Sequence, residues 1–304
     1  MANIRRKDFC DQSVNFLIAA IPVIGFVLFG LIPMGISLLV SFTSVKQSFI
    51  TEKIVFIGFQ NYGRLFHDRL FWKSFGNTLL YTLNVPFSLG FGLIVAYLVN
   101  SSSKGQKFFR FVFFIPYVCS TAAIALSWKI MYNYEYGIFN AVLNDLGLKA
   151  VGWITNPNVF MFSTMLMTIW ASSGICIILY QAALANVNPS YLEAAQIDGA
   201  GEITVFFRIV FPAISPTTFY LLTMKLIGSL QVMAETQMLS GDSTSLNWAD
   251  STVVNYLYRM GFIDPIYYGQ SIASAAGWIL SIIIILITWL NFRLGKKYVN
   301  YDIT

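Results

Sequence analysis

The chain has 304 residues, 57% of them hydrophobic and 11% charged, with a formal net charge of +5 and a mean hydropathy of +0.66. That is more apolar surface than one water-soluble core could bury, which excludes an ordinary soluble domain and places the chain in a bilayer. The positive charge sits in short clusters and not in a stripe interleaved with exposed aromatics, so nucleic acid is excluded as a partner.

Crossing a hydrocarbon layer of roughly 30 Å takes about 20 mostly apolar residues as a helix. Six such runs are predicted. Arg5, Arg6 and Lys7 precede the first, Phe16 to Thr43, whose apolar stretch continues past Pro22 and Pro33 to signal-anchor length and so reads as an uncleaved helix. A loop with Lys46, Lys53, Arg64, Arg69 and Lys73, partly offset by Glu52 and Asp68, leads to the second span, Phe75 to Val99. Lys104, Lys107 and Arg110 occupy the short link to the third, Phe108 to Tyr132. The fourth is Val159 to Ala185, the fifth Ala213 to Ala234 and the sixth Ser271 to Phe292, followed by Arg293, Lys296 and Lys297. These runs lack the alternation of barrel strands, and helices pair their backbone groups internally, so the expected class is all-α integral membrane. The three basic clusters fall on one side, which the positive-inside rule makes cytoplasmic, together with both termini.

Little conventional site chemistry is present. Cys10, Cys119 and Cys176 are far apart, so they spell neither a disulfide framework nor a paired-cysteine metal motif. His67 is the only histidine and reads as a solvated loop residue, which argues against a metal cluster or a Ser-His-Asp site. There is no phosphate-binding loop of the G-x-x-x-x-G-K-[ST] form, so any ATP must be bound by another subunit. In the loops 46–74, 133–158 and 235–270, Trp72, Trp153 and Trp248 read first as interfacial aromatics, with a docking surface as the alternative.

Between the fourth and fifth spans, residues 188–212 form a breaker-rich cytoplasmic loop. Asn188-Pro-Ser190 supplies a helix start, and Ser190-Tyr-Leu-Glu193 has the form of a capping box. Leu192, Ala195 and Gln196 are placed on one face, with Glu193 and Ala194 nearer another, before Asp198-Gly199-Ala200-Gly201 ends the helix. A second helical piece, Glu202 to Val210, runs to Pro212 and Pro216. Small residues admit close approach by a partner; a purely structural elbow is the other reading.

Glu193-Ala194-Ala195 followed by Gly199, Ile209 and Pro212 resembles the EAA motif of permease subunits of binding-protein-dependent, ATP-driven importers, with Phe211 where that family often has Leu. Asn77-Thr78, Phe109-Arg110, Phe113-Phe114-Ile115-Pro116, Trp128-Lys129, Gly137 with Asn140, Ile197 to Ala200 and Gly228-Ser229 resemble its carbohydrate branch, the multiple-sugar and glycerol-phosphate permeases. The resemblance implies the type I importer fold of six transmembrane helices with a cytoplasmic coupling helix, in a bacterial-type plasma membrane. It also implies a second related permease, two ATPase subunits that bind ATP and Mg, an extracytoplasmic solute-binding protein and a sugar cargo. This chain would then be non-catalytic, bind no cofactor, and touch the ATPase through Glu193, Ala194, Ala195, Asp198 and Gly199.

Polar residues inside spans are candidates for the cargo route, although many only bond a neighbouring helix. Trp170, Ser172 and Ser173 in the fourth span and Lys225, Ser229 and Gln231 in the fifth are such candidates, and the resemblance puts sugar contacts in these two regions. A lone ammonium at Lys225 facing lipid would cost roughly 3 kcal/mol on insertion scales. Lys225 is therefore expected to face a cavity or a partner: it attracts an anionic group on the sugar, pairs with an acid of the second permease, or snorkels. A self-sufficient secondary transporter or channel is the competing function, and would be expected to show inverted repeats, broken helices in matching halves and intramembrane acids, of which the spans hold almost none. A membrane enzyme would show clustered His, Asp or Glu, which the sequence lacks.

Overall fold

A computed structural model describes residues 18–45, 54–101, 106–241, 246–263 and 269–298. Arg5, Arg6, Lys7, Cys10, Lys46, Glu52, Lys53 and Lys104 lie outside the described residues. The secondary structure described is helical apart from one isolated antiparallel bridge, Thr43 to Phe56. The chain divides into two units, residues 1–67 with 257–278, and residues 68–256 with 279–304.

The first unit contains α1 (Ile18–Ser41). Pro33 lacks the N–H that would continue the ladder, and a wide turn at Val27–Leu31, with the Ile32 amide reaching back to the Val27 carbonyl, precedes it. Within this unit most of α1 is exposed, Phe29 included. Its end is tied down by α2 (Gln60–His67), where Asn61 Nδ2 donates to the carbonyls of Ser41 and Thr43, both at 2.8 Å. His67 closes α2, exposed, with Nδ1 2.8 Å from the Gly63 carbonyl oxygen.

The second unit begins at α3 (Arg69–Thr82), capped by Asp68, whose Oδ1 accepts the Leu70 amide at 2.8 Å. After a break at Leu83 comes α4 (Asn84–Ser101). The run expected as the third span is two helices, α5 (Gln106–Val118) and α6 (Thr121–Met131), with a 101° bend between their apolar segments. Pro116 removes a ladder amide just before the break, and Ser120 starts the new helix by accepting the Ala123 amide at 3.3 Å. A short α7 (Ile138–Asp145) precedes α8 (Phe160–Ala185). Then come α9 (Pro189–Ile197), α10 (Glu202–Ala213) and α11 (Ser215–Leu230), the last two bent by 67° at Ile214. Two short helices follow, α12 (Ala234–Ser240) and α13 (Val253–Tyr258), before α14 (Gly269–Tyr298), which runs through both units.

The core of this unit joins Val85, Leu89 and Ala96 of α4 to Cys176, Ile177, Tyr180 and Leu184 of α8 and Leu221 of α11. Small residues permit the approach: a Cβ on Gly92 would lie 2.5 Å from Cys176 Cβ, and one on Gly174 would lie 2.5 Å from the Phe113 carbonyl.

Side-chain amides organise the loops. Asn140 accepts from the Val151 amide and the Trp153 indole N–H, both at 3.0 Å, and donates to the carbonyls of Tyr134 and Val151. Trp153 is thus built into a folded cap, stacked 5.6 Å from Tyr132, and is not merely a belt residue. Asn77 Nδ2 donates to the carbonyls of Trp248 and Ser251 at 3.0 and 2.8 Å, while Thr78 Oγ1 accepts the Val253 amide at 2.9 Å. These bonds hold Asn247 and Trp248 at φ of +44° and +64°, a left-handed conformation uncommon for such residues.

Tyr256 donates to Asp68 Oδ2 at 2.6 Å. Burial, followed by the hydrogen bond and charge of Asp68, pushes its phenol above the usual tyrosine range. The unfolded chain therefore ionises first, above about pH 10, and the stability carried by this neutral phenol is lost as pH rises from there. Asp68→Ala removes both the cap and this partner, and is expected to cost about 1–2 kcal/mol, read as a lower Tm of the detergent-solubilised protein near neutral pH.

Candidate functional site

Two regions gather the candidate residues. The first is the exposed helix α9. Its N-cap is Asn188, whose Oδ1 accepts the Ser190 amide at 3.0 Å, and Pro189 occupies the first turn. The expected capping box between Ser190 and Glu193 does not form. A proline at the first position carries a preset φ and no amide to satisfy, so the helix starts two residues earlier and Ser190 lies inside it.

Ala195 is buried and Leu192 packs against the core, while Glu193, Ala194, Asp198 and Gly199 face solvent. Gln196 is exposed too and does not share the inner face assigned to it with Leu192 and Ala195. Ile197, an apolar side chain, is 86% exposed. The helix stops in a Schellman motif: Gly199 takes φ +72°, its amide donates to the Gln196 carbonyl at 3.1 Å, and the Ala200 amide donates to the Ala195 carbonyl at 2.9 Å. Beyond it, α10 packs Phe206 edge-on against Tyr97 of α4 at 5.3 Å and passes through a wide turn at Phe206–Val210.

The result is a short helix whose C-terminal end is closed by internal hydrogen bonds. It is anchored through Leu192 and Ala195 and presents acids, small residues and Ile197 outward. Such a surface can accept a partner at close range without local refolding.

The second region is a cavity of about 470 Å³ among α3, α5, α8, α11 and the first turns of α4 and α12, within the roughly 300–1,000 Å³ range of small-ligand sites. Ser172, Lys225 and Ser229 line it. Trp170, Ser173 and Gln231 are not among its lining residues. Trp170 packs on Trp128 at 5.7 Å, Ser173 is fully buried and donates to the Trp170 carbonyl at 2.8 Å, and Gln231 ends α11 exposed. A helix presents every third or fourth residue to one side, so a contiguous group such as 170–173 had to split.

Lys225 Nζ donates to Ser172 Oγ at 2.7 Å and to the Ser172 carbonyl at 3.1 Å. Ser229 Oγ donates to the Leu226 carbonyl at 2.9 Å and lies 3.3 Å from Thr82 Oγ1.

The polar lining residues not foreseen are Tyr81, Asn84, Tyr117, Thr168, Tyr220 and Glu235. The signal for Thr168 was present: 168, 172, 175 and 179 form one stripe of the fourth span. A smaller cavity of about 190 Å³ shares Tyr117, Thr168, Ser172 and Glu235 and reaches Pro116 and Cys119 at the break between α5 and α6. Among the described residues, no group of three or more His, Cys, Asp and Glu could hold a metal ion.

Residues 88–300 match the family described as binding-protein-dependent transport system inner membrane component. A probable ABC transporter permease protein of Bacillus subtilis, YesP, is 33% identical over 96% of this chain and 93% of its own length. The sulfoquinovosyl glycerol transport system permease protein SmoG of Agrobacterium fabrum is 34% identical over 72% of this chain and 71% of its own. Among solved structures, a bacterial ABC transporter involved in the import of the acidic polysaccharide alginate contains a chain 26% identical to this one, with a TM-score of 0.84 over 97% of this chain and 99% of that one.

Proposed function

The chain belongs to the binding-protein-dependent transport system inner membrane components and is a multi-pass permease subunit, a premise from which we propose that it forms half of the translocation path of an ATP-driven carbohydrate importer. The single observation that carries the ATP-driven reading is α9. A chain without a phosphate loop exposes a short, internally closed helix bearing Glu193, Ala194, Asp198 and Gly199 beside a bare Ile197. Its complement is an ATPase subunit, which binds ATP and Mg and supplies the hydrolysis that this chain does not. With Ala195 as its buried anchor, α9 passes the rigid-body closure of two ATPases into the spans. This reading puts α9 and both termini in the cytoplasm.

The carbohydrate assignment is supported by the relatives that handle sulfoquinovosyl glycerol and alginate, and by the cavity itself. Tyr117 and Tyr220 offer ring faces, while Thr168, Ser172 and Ser229 offer hydroxyl groups for sugar hydroxyls. A second, related permease completes the path, and an extracytoplasmic binding protein delivers the cargo. A channel or secondary transporter gains no support from this arrangement, since neither needs α9. Proteoliposomes holding the complete complex should take up saccharide only with internal ATP and external binding protein. Uptake driven by an ion gradient without ATP would refute the assignment.

A further inference from the structure

Given the importer reading, on which this step rests, we propose that Lys225 makes the cavity selective for saccharides that carry an anionic group, such as a uronate carboxylate.

The position of the ammonium carries the argument. Lys225 lies on the fifth span among groups that are otherwise neutral, and only Glu235 adds charge to the lining. Two of its three N–H donors are engaged by Ser172, one on the hydroxyl and one on the carbonyl, and no carboxylate of the described residues lies within 4 Å. The Cys176 thiol shares that carbonyl at 3.8 Å, hydrogen-bonds with the ammonium as its remaining partner, and brings no formal charge as a thiol.

A cation is therefore fixed in position by Ser172 and Cys176 of a neighbouring helix, held by neutral acceptors only, on the wall of a cavity sized for a small ligand. Neutral sugars need only hydroxyl partners, which Thr168 and Ser229 supply without any ammonium. In a low-dielectric site, a preorganised charge discriminates strongly between an anion and its neutral isostere. Glu235 lines the same space without pairing to Lys225, so the two signs sit apart and the cargo's orientation is set: acid group toward Lys225, hydroxyl groups toward Glu235.

The reading also separates Lys225 from a simple clamp between α8 and α11. A clamp needs a donor to Ser172, which glutamine retains, whereas recognition of an anion needs the charge, which arginine retains.

The test uses the complete importer in ATP-loaded membrane vesicles and a panel of matched oligosaccharides, each acidic member, trigalacturonate among them, paired with its neutral methyl ester. Wild type should take up at least one acidic member. Lys225→Gln should lower the acidic-to-neutral uptake ratio at least tenfold, and Lys225→Arg should hold it within about threefold, at equal amounts of assembled complex. Three results overturn the proposal alone: uptake of neutral members only, an unchanged ratio in Lys225→Gln, or equal failure of the Gln and Arg variants. Uptake of no saccharide by wild type overturns the carbohydrate reading first, and this inference with it.

Discussion

Gly199→Glu is expected to cut ATP-driven uptake by tenfold or more while the chain still inserts and is recovered at near wild-type levels. Gly199 closes α9 at φ +72°, where a residue with a Cβ is strained by roughly 1–2 kcal/mol. No atom lies within 4 Å of the position a Cβ would take, so the cost is conformational and local. The added charge projects from the exposed end of the helix, on the surface we assign to the ATPase. Gly199→Asn separates the two effects, because asparagine tolerates the left-handed region without charge. It should retain most uptake. Measuring uptake and ATP hydrolysis together is decisive: Glu should leave hydrolysis unresponsive to cargo-loaded binding protein. If Gly199→Glu keeps wild-type uptake with normal stimulation, α9 is not the contact.

Gly92→Ala should destabilise the fold by about 1–3 kcal/mol, the range for overpacking. The new methyl would lie 2.5 Å from Cys176 Cβ, an atom bonded to the backbone of α8 that no rotamer change can move aside. Either α4 and α8 separate along their shared core or their backbones shift. Gly90→Ala, two residues away with open space at the Cβ position, is the control and should be neutral or slightly stabilising. Cys176→Gly removes the clashing carbon and should recover part of the loss in the double variant, a coupling that unrelated damage would not show. Thermal unfolding of the detergent-solubilised protein reads all four.

Hydropathy made the long helices legible, because a run such as 159–185 meets the length and composition requirement of the bilayer by itself. The same sum is blind to direction. It treated 108–132 as one run, although Pro116 and the Ser120 cap divide it into helices at 101°. At residue 188 two local signals competed, an Asn-Pro start and a Ser-x-x-Glu box, and the proline geometry won. The cavity was half legible. Ser172, Lys225 and Ser229 stood out as polar groups in apolar surroundings, whereas Tyr81, Tyr117 and Tyr220 look like ordinary membrane aromatics until the helices that present them are packed together. Asn77 and Asn140 were visible only as elements of a pattern. Their work of holding distant carbonyls depends on chain crossings that no local window contains.

The 67° bend at Ile214 gives the segment 202–230 the mechanics of a crank. One arm, α10, adjoins α9, the helix we assign to the ATPase contact; the other, α11, carries Tyr220, Lys225 and Ser229 on the cavity wall. Thrust along the first arm emerges as torque on the second, so a displacement small enough to leave every hydrogen bond of α9 intact can still turn those side chains toward or away from the cargo. On that assignment the ATPase and the cavity need never touch: the ratio of the two motions is set by a bend angle and two arm lengths.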